Sequence, residues 1–315
     1  MAQICTPEYG YEGYSYMVEG QCDLDNITAG CTTVNGSISM SVNYTGGFYL
    51  PNIRNITGNI RWYLSEPLDA VPKTTSMHLP DLEFLGGTLD VSSIPTLQSF
   101  VAPQLQTVEW AANIEYAQEV DLRSLVDLEY LTITGNVSSL RLDSLRQVRQ
   151  DILICNMDEC DSKNSPNGVL NVSLPALHDT GHLNAEGRFS SFDTPNLTNL
   201  TGFGTAFYNI KLVTSGEAPI NISFPELKYI QGEDLQSISV SIPDISNMTA
   251  WFSVNAYNQL DINLPFQEAQ DILLTGNISS VQFPNLTSVD TFTVNSVASL
   301  DLMFGVVVGV VIGLL

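Results

Sequence analysis

The sequence predicts an all-β protein wound as a right-handed parallel β-helix, a solenoid of about eleven coils. Three observations lead there. A phrase of the form apolar-Pro-x-Leu, or its equivalent, begins at residues 50, 79, 102, 123, 143, 174, 194, 224, 242, 264 and 283, mostly 18–23 residues apart. A period in the twenties marks a solenoid whose repeats cannot bury their apolar faces alone. Alternating stretches follow the phrases, among them TGNIRWYL, GGTLDVSS, YLTITGN, DILICN and DILLTGN. Period-two apolar spacing with Val, Ile, Thr and aromatics, bounded by Gly, Asn and Pro, fits a pleated strand. Third, no run of ten or more residues carries a 3.6-residue period between caps, as a leucine-rich repeat with convex helices would require.

Taken in chain order, residues 1–30 read as an N-terminal cap. Tyr9, Tyr11, Tyr14 and Tyr16 are expected to cover the open end of the first coil, which otherwise presents unpaired edges. Residues 31–299 form the solenoid, with coils stacked at roughly 4.8 Å. Proline sits at the corner between strands, where its fixed φ helps a bend and its missing N–H breaks no ladder. Asn156, Asn255 and Asn295, each ending an alternating stretch, are expected in left-handed or turn geometry at another corner. Trp62, Trp110 and Trp251 are expected to fill coil interiors or caps, with stacking on sugar rings as the alternative.

Five cysteines punctuate the chain. Cys155 and Cys160 lie within the polar loop CNMDECDSKNSPNG, and a disulfide between them would tie that loop down. The loop, near 155–168, either divides the solenoid into two halves or bulges from one continuous helix. A zinc site is the rival, but two cysteines without a nearby His or a second CxxC supply no tetrahedral set. At the N-terminus Cys22 with Cys31 is the preferred pair, leaving Cys5 free or paired outside the chain.

Residues 300–315 end in FGVVVGVVIGLL, twelve uncharged apolar residues where a bilayer span needs about 20. They read as the start of a transmembrane segment, as a GPI-attachment tail, or as a last buried strand. Gly305, Gly309 and Gly313 recur every four residues, a spacing common where membrane helices pack. The first two readings place the solenoid on the outer face of a membrane.

Twelve of the 24 asparagines open an Asn-x-Ser/Thr sequon: Asn26, Asn35, Asn43, Asn55, Asn136, Asn171, Asn196, Asn199, Asn221, Asn247, Asn277 and Asn285. Ser and Thr number 54 of 315, so chance would supply about four, and the excess argues for a secreted glycoprotein. In all but the Asn35 sequon the middle residue is apolar. Strand alternation explains this: Asn points out, the apolar residue points in, and Ser or Thr points out. The start MAQICTPEYGYEGYSYM has neither the basic nor the apolar region of a signal peptide, so the leader is expected outside this chain.

Eleven Lys and Arg against 34 Asp and Glu give a net charge of −23, which repels phosphate backbones and makes nucleic acid a poor partner. Catalytic motifs are thin. Asp179-Thr180-Gly181 is the aspartic-protease tripeptide, but that site needs two carboxylates sharing a proton and the chain holds no second copy. His178 and His182, four apart, could hold a metal only from a helix, and they follow a corner phrase. Asp158, Glu159 and Asp161 read as a solvated tip, with calcium as the alternative. No GxSxG, P-loop or GxGxxG occurs, and no cofactor is expected. Asp121, Asp143 and Asp151 are scattered along the sequence, so a polysaccharide-active β-helix enzyme would have to assemble its carboxylates from neighbouring coils.

CTTVNGSISM followed by LPNIRNITGNIRW resembles the opening of the receptor L-domain, the β-helical ligand-binding module of insulin and epidermal growth factor receptors. The acidic, sequon-rich form with SLPAL, FPELKYIQG and FPNLTSV resembles fungal cell-wall organisation proteins built from L-domain-like repeats and usually GPI-anchored. The likeness spans roughly residues 31–300 and rests on the succession of motifs. It implies a non-catalytic cell-surface role in wall integrity. Partners would be wall polysaccharide or wall glycoproteins, with membrane attachment through the C-terminal segment. The chain departs from that pattern in having no Ser/Thr-rich stalk before its C-terminus.

Overall fold

A computed structural model describes residues 3–10, 13–62, 70–156, 169–200, 210–214, 222–223, 229–230, 235–236, 251–263, 268–284, 286–296, 299, 301–304 and 312–314. The protein is a β-solenoid of about nine turns made of stacked parallel strands, with one helix among the described residues. Of the eleven expected corner phrases, 242–248 whole and residues 224–228, 264–267 and 285 of the phrases 224–230, 264–270 and 283–289 lie outside the described residues. Two compact units are present: Met1–Leu145 with Ile154–Cys160, and Arg146–Leu153 with Asp161–Leu315.

In the first unit each turn lays down three strands. The first face stacks Thr33–Val34, Asn55–Ile56, Phe84–Leu85, Thr107–Val108 and Asp127–Leu128 in parallel. The second stacks Ser37–Met40, Ile60–Trp62, Leu89–Val91, Ala111–Glu115 and Tyr130–Thr134. The third stacks Thr45–Tyr49, Lys73–His78, Ser99–Val101, Glu119–Asp121 and Ser139–Arg141. Because side chains alternate in a strand, this register draws straight lines of like residues. On the third face Phe48, Met77, Phe100 and Val120 point inward and are 0–1% exposed.

The corner phrase has a direct physical account. In Ala102-Pro103-Gln104-Leu105 the Ala102 N–H donates to Asp121 in the next turn at 2.9 Å, while its carbonyl accepts the Leu105 N–H at 3.2 Å. Leu122 with Leu125, and Leu142 with Leu145, repeat the same i to i+3 bond at 3.0 and 3.2 Å. Proline occupies the second turn position, where φ near −65° is wanted and no N–H is needed. The flanking apolar residues at both ends are buried. The phrase therefore recurs because each turn needs one sharp bend with two inward anchors.

Other corners use the left-handed region. Ser93, Tyr116 and Gly135, on three successive turns, have φ of 58°, 66° and 104°. The asparagines expected there are elsewhere: Asn255 and Asn295 lie inside strands Trp251–Asn263 and Ser288–Ser296, and Asn156 is buried at the end of Gln147–Cys155. Trp110 does not fill the interior but is 62% exposed, while half-buried Trp62 donates its indole N–H to the Ser92 carbonyl at 2.9 Å. The Trp251 side chain is outside the described residues.

The end of the first unit is closed by backbone more than by tyrosine rings. Ile4–Cys5 adds to the first face and Gly13–Val18 to the second, the latter folded antiparallel against Tyr9–Gly10. Tyr9 and Tyr14 pack edge to face at 5.2 Å yet stay 75% and 55% exposed. Over the third face lies the helix Gln21–Gly30, which the sequence reading missed, burying Leu24 and Ile27. Its Gln21 amide donates to the Tyr49 carbonyl at 2.7 Å and accepts the Tyr49 N–H at 2.9 Å. One side-chain amide thus occupies the open edge of Thr45–Tyr49 as a strand would. Tyr44, buried beneath, donates to the Gly47 carbonyl at 3.1 Å, and its hydroxyl is pushed up to about 12 by burial and then by Asp23 and Asp25.

The helix also corrects the cysteine pairing. Cys5 is bonded to Cys31, with Cα atoms 5.7 Å apart, and Cys22 is free and exposed. Nine helical residues at 1.5 Å each separate Cys22 from Cys31 by about 13 Å, beyond the roughly 7 Å a disulfide can bridge. Pairing of Ile4–Cys5 with Thr33–Val34 instead brings Cys5 alongside Cys31. Cys155 is disulfide-bonded, and the expected partner Cys160 lies outside the described residues.

In the second unit Asp179–Gly187 is one long strand spanning what are two faces in the first unit. It pairs with Asn199–Leu200 and with Ile210–Thr214, which pair onward with Tyr229–Ile230 and Leu235–Gln236. Leu170–Ser173, Phe189–Asp193 and Ile222–Ser223 form a separate sheet. Trp251–Asn263, Glu268–Phe283 and Ser288–Ser296 follow in parallel. Asp301–Phe304 pairs with Glu268–Phe283, and Ile312–Leu314 with Ser288–Ser296. Residues 305–311 of the expected membrane tail lie outside the described residues, among which no helix is long and apolar enough to cross a membrane.

Candidate functional site

The sequons and the solenoid share one pattern. Ile27, Tyr44, Ile56, Val137, Val172, Leu197, Leu200, Ile278 and Leu286, the middle residues of nine sequons, are all buried. Of their asparagines, Asn26, Asn43, Asn171 and Asn196 are exposed and Asn55, Asn136 and Asn199 half-buried; Asn35, of the sequon with Gly36 in the middle, is exposed too. Asn26 differs from the strand expectation, since it lies on the helix, where Ile27 is buried by helical geometry. Asn221, Asn247 and Asn285, and the side chain of Asn277, lie outside the described residues.

A glycan is carried on Nδ2, so the partners of that atom matter. Asn196 donates Nδ2–H to the Pro175 carbonyl at 2.6 Å, and Asn199 donates to the Asp179 carboxylate. Asn35 reaches Thr6 Oγ1 at 3.4 Å. An N-linked sugar replaces one of the two protons on that nitrogen, so these three must keep their bond through the other.

The second constellation is ionic. Asp121-Leu122-Arg123 and Arg141-Leu142-Asp143 stand on successive turns, with Asp121 in register with Arg141. Arg123 Nε lies 2.9 and 3.0 Å from the two Asp121 oxygens, and its Nη2 also bonds that carboxylate. Arg141 sits 4.0 Å from Asp121 and 2.9 Å from Asp143. The Asp121 side chain is only 6% exposed, and Arg123, through its hydrogen bonds, holds that carboxyl below the usual carboxylate range against the opposing effect of burial. Arg123 and Asp143 occupy the position where the neighbouring turns carry Pro80 and Pro103. Where proline is missing, an ion-pair network fixes the bend.

This predicts a pairwise dependence. Arg123→Pro alone leaves the covered Asp121 carboxylate without its main partner and should lower the urea midpoint, by less than a fully buried pair would because Arg123 is largely in water. Asp121→Val with Arg123→Pro copies Val101-Ala102-Pro103 of the turn before, which is in register, and should recover most of the loss in urea denaturation. A carboxyl lowered in the folded state stabilises above its unfolded value near 3.9 and loses that contribution as pH falls further. The double variant should therefore lose less stability than the native chain as pH falls below about 4.

A third pair, His182 with Asp151, joins Nδ1 to a carboxylate oxygen on a ring 4% exposed. Thr180 beside it donates to the His182 carbonyl at 3.2 Å, so the Asp179-Thr180-Gly181-His182 stretch is occupied by its own strand contacts. His178, by contrast, is exposed, and the two histidines lie around the start of an extended strand. Among the described residues no three His, Cys, Asp or Glu side chains gather as a metal site, and Asp158, Glu159 and Asp161 lie outside them.

Exposed aromatics complete the surface. Trp110 and Tyr130 stand on successive turns, the Trp110 carbonyl accepting the Glu129 and Tyr130 N–H groups at 2.9 and 3.1 Å. Both rings are open, at 62% and 40% exposure. No family model, no curated protein and no solved structure matches this chain.

Proposed function

We propose that this chain is a non-catalytic, glycosylated cell-surface protein that supports cell-wall organisation and integrity of the fungal type. In this reading it is held at the plasma membrane or wall by its C-terminal segment, and its partners are wall polysaccharide or wall glycoproteins. The observation that carries this is the coincidence of sequon and fold: nine apolar sequon residues are buried, while of the acceptor asparagines beside them Asn26, Asn43, Asn171 and Asn196 are exposed and Asn55, Asn136 and Asn199 half-buried. A chain whose eight described acceptor asparagines are all exposed or half-buried offers those positions to glycans. The −23 charge fits solubility in a salty exterior, and Trp110 with Tyr130 offers faces on which sugar rings can stack.

The enzymatic alternative draws on the convergence of Asp121, Asp143, Arg123 and Arg141. It fares worse on chemistry. A general acid for glycoside cleavage needs a raised pKa and access to the glycosidic oxygen. Asp121 has a lowered one and a bidentate arginine over it.

Glycopeptide mass spectrometry of protein secreted from a glycosylating eukaryotic host tests the proposal, alongside co-sedimentation with insoluble β-glucan and chitin. Occupied Asn43, Asn55, Asn136 and Asn171, with retention on one polysaccharide that Trp110→Ala weakens, is the expected outcome. Bare asparagines throughout would remove its basis.

A further inference from the structure

Between the helix Gln21–Gly30 and the strand Gly13–Val18 lies a cleft of about 400 Å³. Its floor is the Cys5–Cys31 disulfide with Val18 and Ile27, and its walls include Tyr16, Met17 and Asp23. Asn26 lines the same cleft. It stands three residues after Asp23 on the helix, so the two side chains share one face.

We infer that the first sugar of an Asn26-linked glycan folds back into this cleft, making it a sugar subsite filled by the protein's own modification. The inference rests on the glycoprotein reading above, and three observations carry it. The acceptor is part of the lining, so the sugar needs no encounter step and its effective concentration is set by a single covalent link. The lining is amphipathic in the manner of a pyranose. Half-buried Tyr16, on the same strand face as Val18, presents apolar surface, whereas Asp23 presents an acceptor. Asp23 Oδ2 is already taken by the Glu19 and Gly20 N–H groups at 2.7 and 3.2 Å, and Oδ1 is left to accept an N-acetyl N–H or a ring hydroxyl. Finally, the volume lies at the lower end of small-ligand sites, suited to one or two sugar rings rather than to a larger ligand.

The consequence is protection. The Asn26 glycan should be held against the cap while the glycans on Asn43 and Asn55, on turns beneath it, stay in water. The experiment treats the native glycoprotein with a peptide amidase that cleaves the sugar–asparagine bond and follows each site by mass spectrometry. Release at Asn26 should be about tenfold slower than at Asn43, a difference of about 1.4 kcal/mol. Tyr16→Ser should speed release at Asn26 alone. Urea-unfolded protein, as control, should release both sites alike. Equal native rates at the two sites would overturn the subsite while leaving the glycoprotein reading intact. An unmodified Asn26 among occupied neighbours would overturn it as well, and the absence of sugar at every site would remove both proposals.

Discussion

Phe100→Ala should lower the unfolding free energy of the first unit by about 3–5 kcal/mol, read as a fall in urea midpoint at unchanged slope. Phe100 is fully buried at the centre of an inward line, with Met77 in the turn before it and Val120 in the turn after. Truncation loses the transfer free energy of the ring and leaves a cavity that two neighbouring turns must share. Those turns are held at a fixed spacing by the parallel ladders on all three faces, so they cannot close on the gap. A flexible thioether such as Met77 can fill part of it, which sets the cost toward the lower end of the range. In a stack where each turn rests only on its neighbours, the damage spreads by nearest-neighbour contacts. Phe100→Leu, keeping most of the volume, should cost less than half as much. A loss below about 1 kcal/mol for the alanine variant would mean that the inward line is not continuous there.

Much of this architecture is legible in the sequence because the solenoid is locally encoded. The phrase around Leu79-Pro80 or Ala102-Pro103 contains a whole corner: the ladder donor, the bend and the inward leucine three residues on. The sequon middles behave likewise, since Ile56, Val172 and Ile278 need only strand alternation to turn inward. What escaped has a common cause in long-range or context-dependent geometry. The helix Gln21–Gly30 offers only Leu24 and Ile27 as an apolar stripe, begins after a glycine without a side-chain cap and has no basic residue in its last turn. It is stabilised by lying on the third face, so propensity alone does not show it. The Cys5–Cys31 bridge spans 26 residues and follows from a strand pairing that the sequence does not display.

The ionic network lies between these cases. Asp121-x-Arg123 and Arg141-x-Asp143 are twenty residues apart, one repeat, so aligning the repeats sets acid against base at both positions. Read singly, the same residues look scattered. The discriminating signal was the exchange of charge between equivalent positions of neighbouring turns, together with the absence of proline at the second of them.

The stretches GNVSSLRLDSLRQV and GNISSVQFPNLTSV both open on a glycine that precedes a sequon, and the backbone explains it: Gly135 and Gly276 have φ of 104° and 100°. A Cβ at Gly135 would stand 2.8 Å from the N and Cα of Tyr116, a backbone that cannot retreat because its N–H donates to the Thr134 carbonyl at 2.9 Å. Gly135→Val should therefore combine roughly 1–3 kcal/mol of left-handed strain with roughly 1–3 kcal/mol of overpacking. A β-branched residue takes the upper part of the combined range, about 4–6 kcal/mol. The neighbouring turns provide the contrast. Ser93, at φ 58°, already shows that a left-handed corner accepts a side chain, so Ser93→Gly should change stability by less than about 1 kcal/mol. Asn136 and Val137 follow directly, and the Val137 N–H closes on the Gly135 carbonyl at 2.8 Å to turn the valine inward and the acceptor outward. The glycine is thus the hinge that presents the sequon, and a Gly135→Val protein as stable to urea as the native chain would show that the corner does not take this left-handed path.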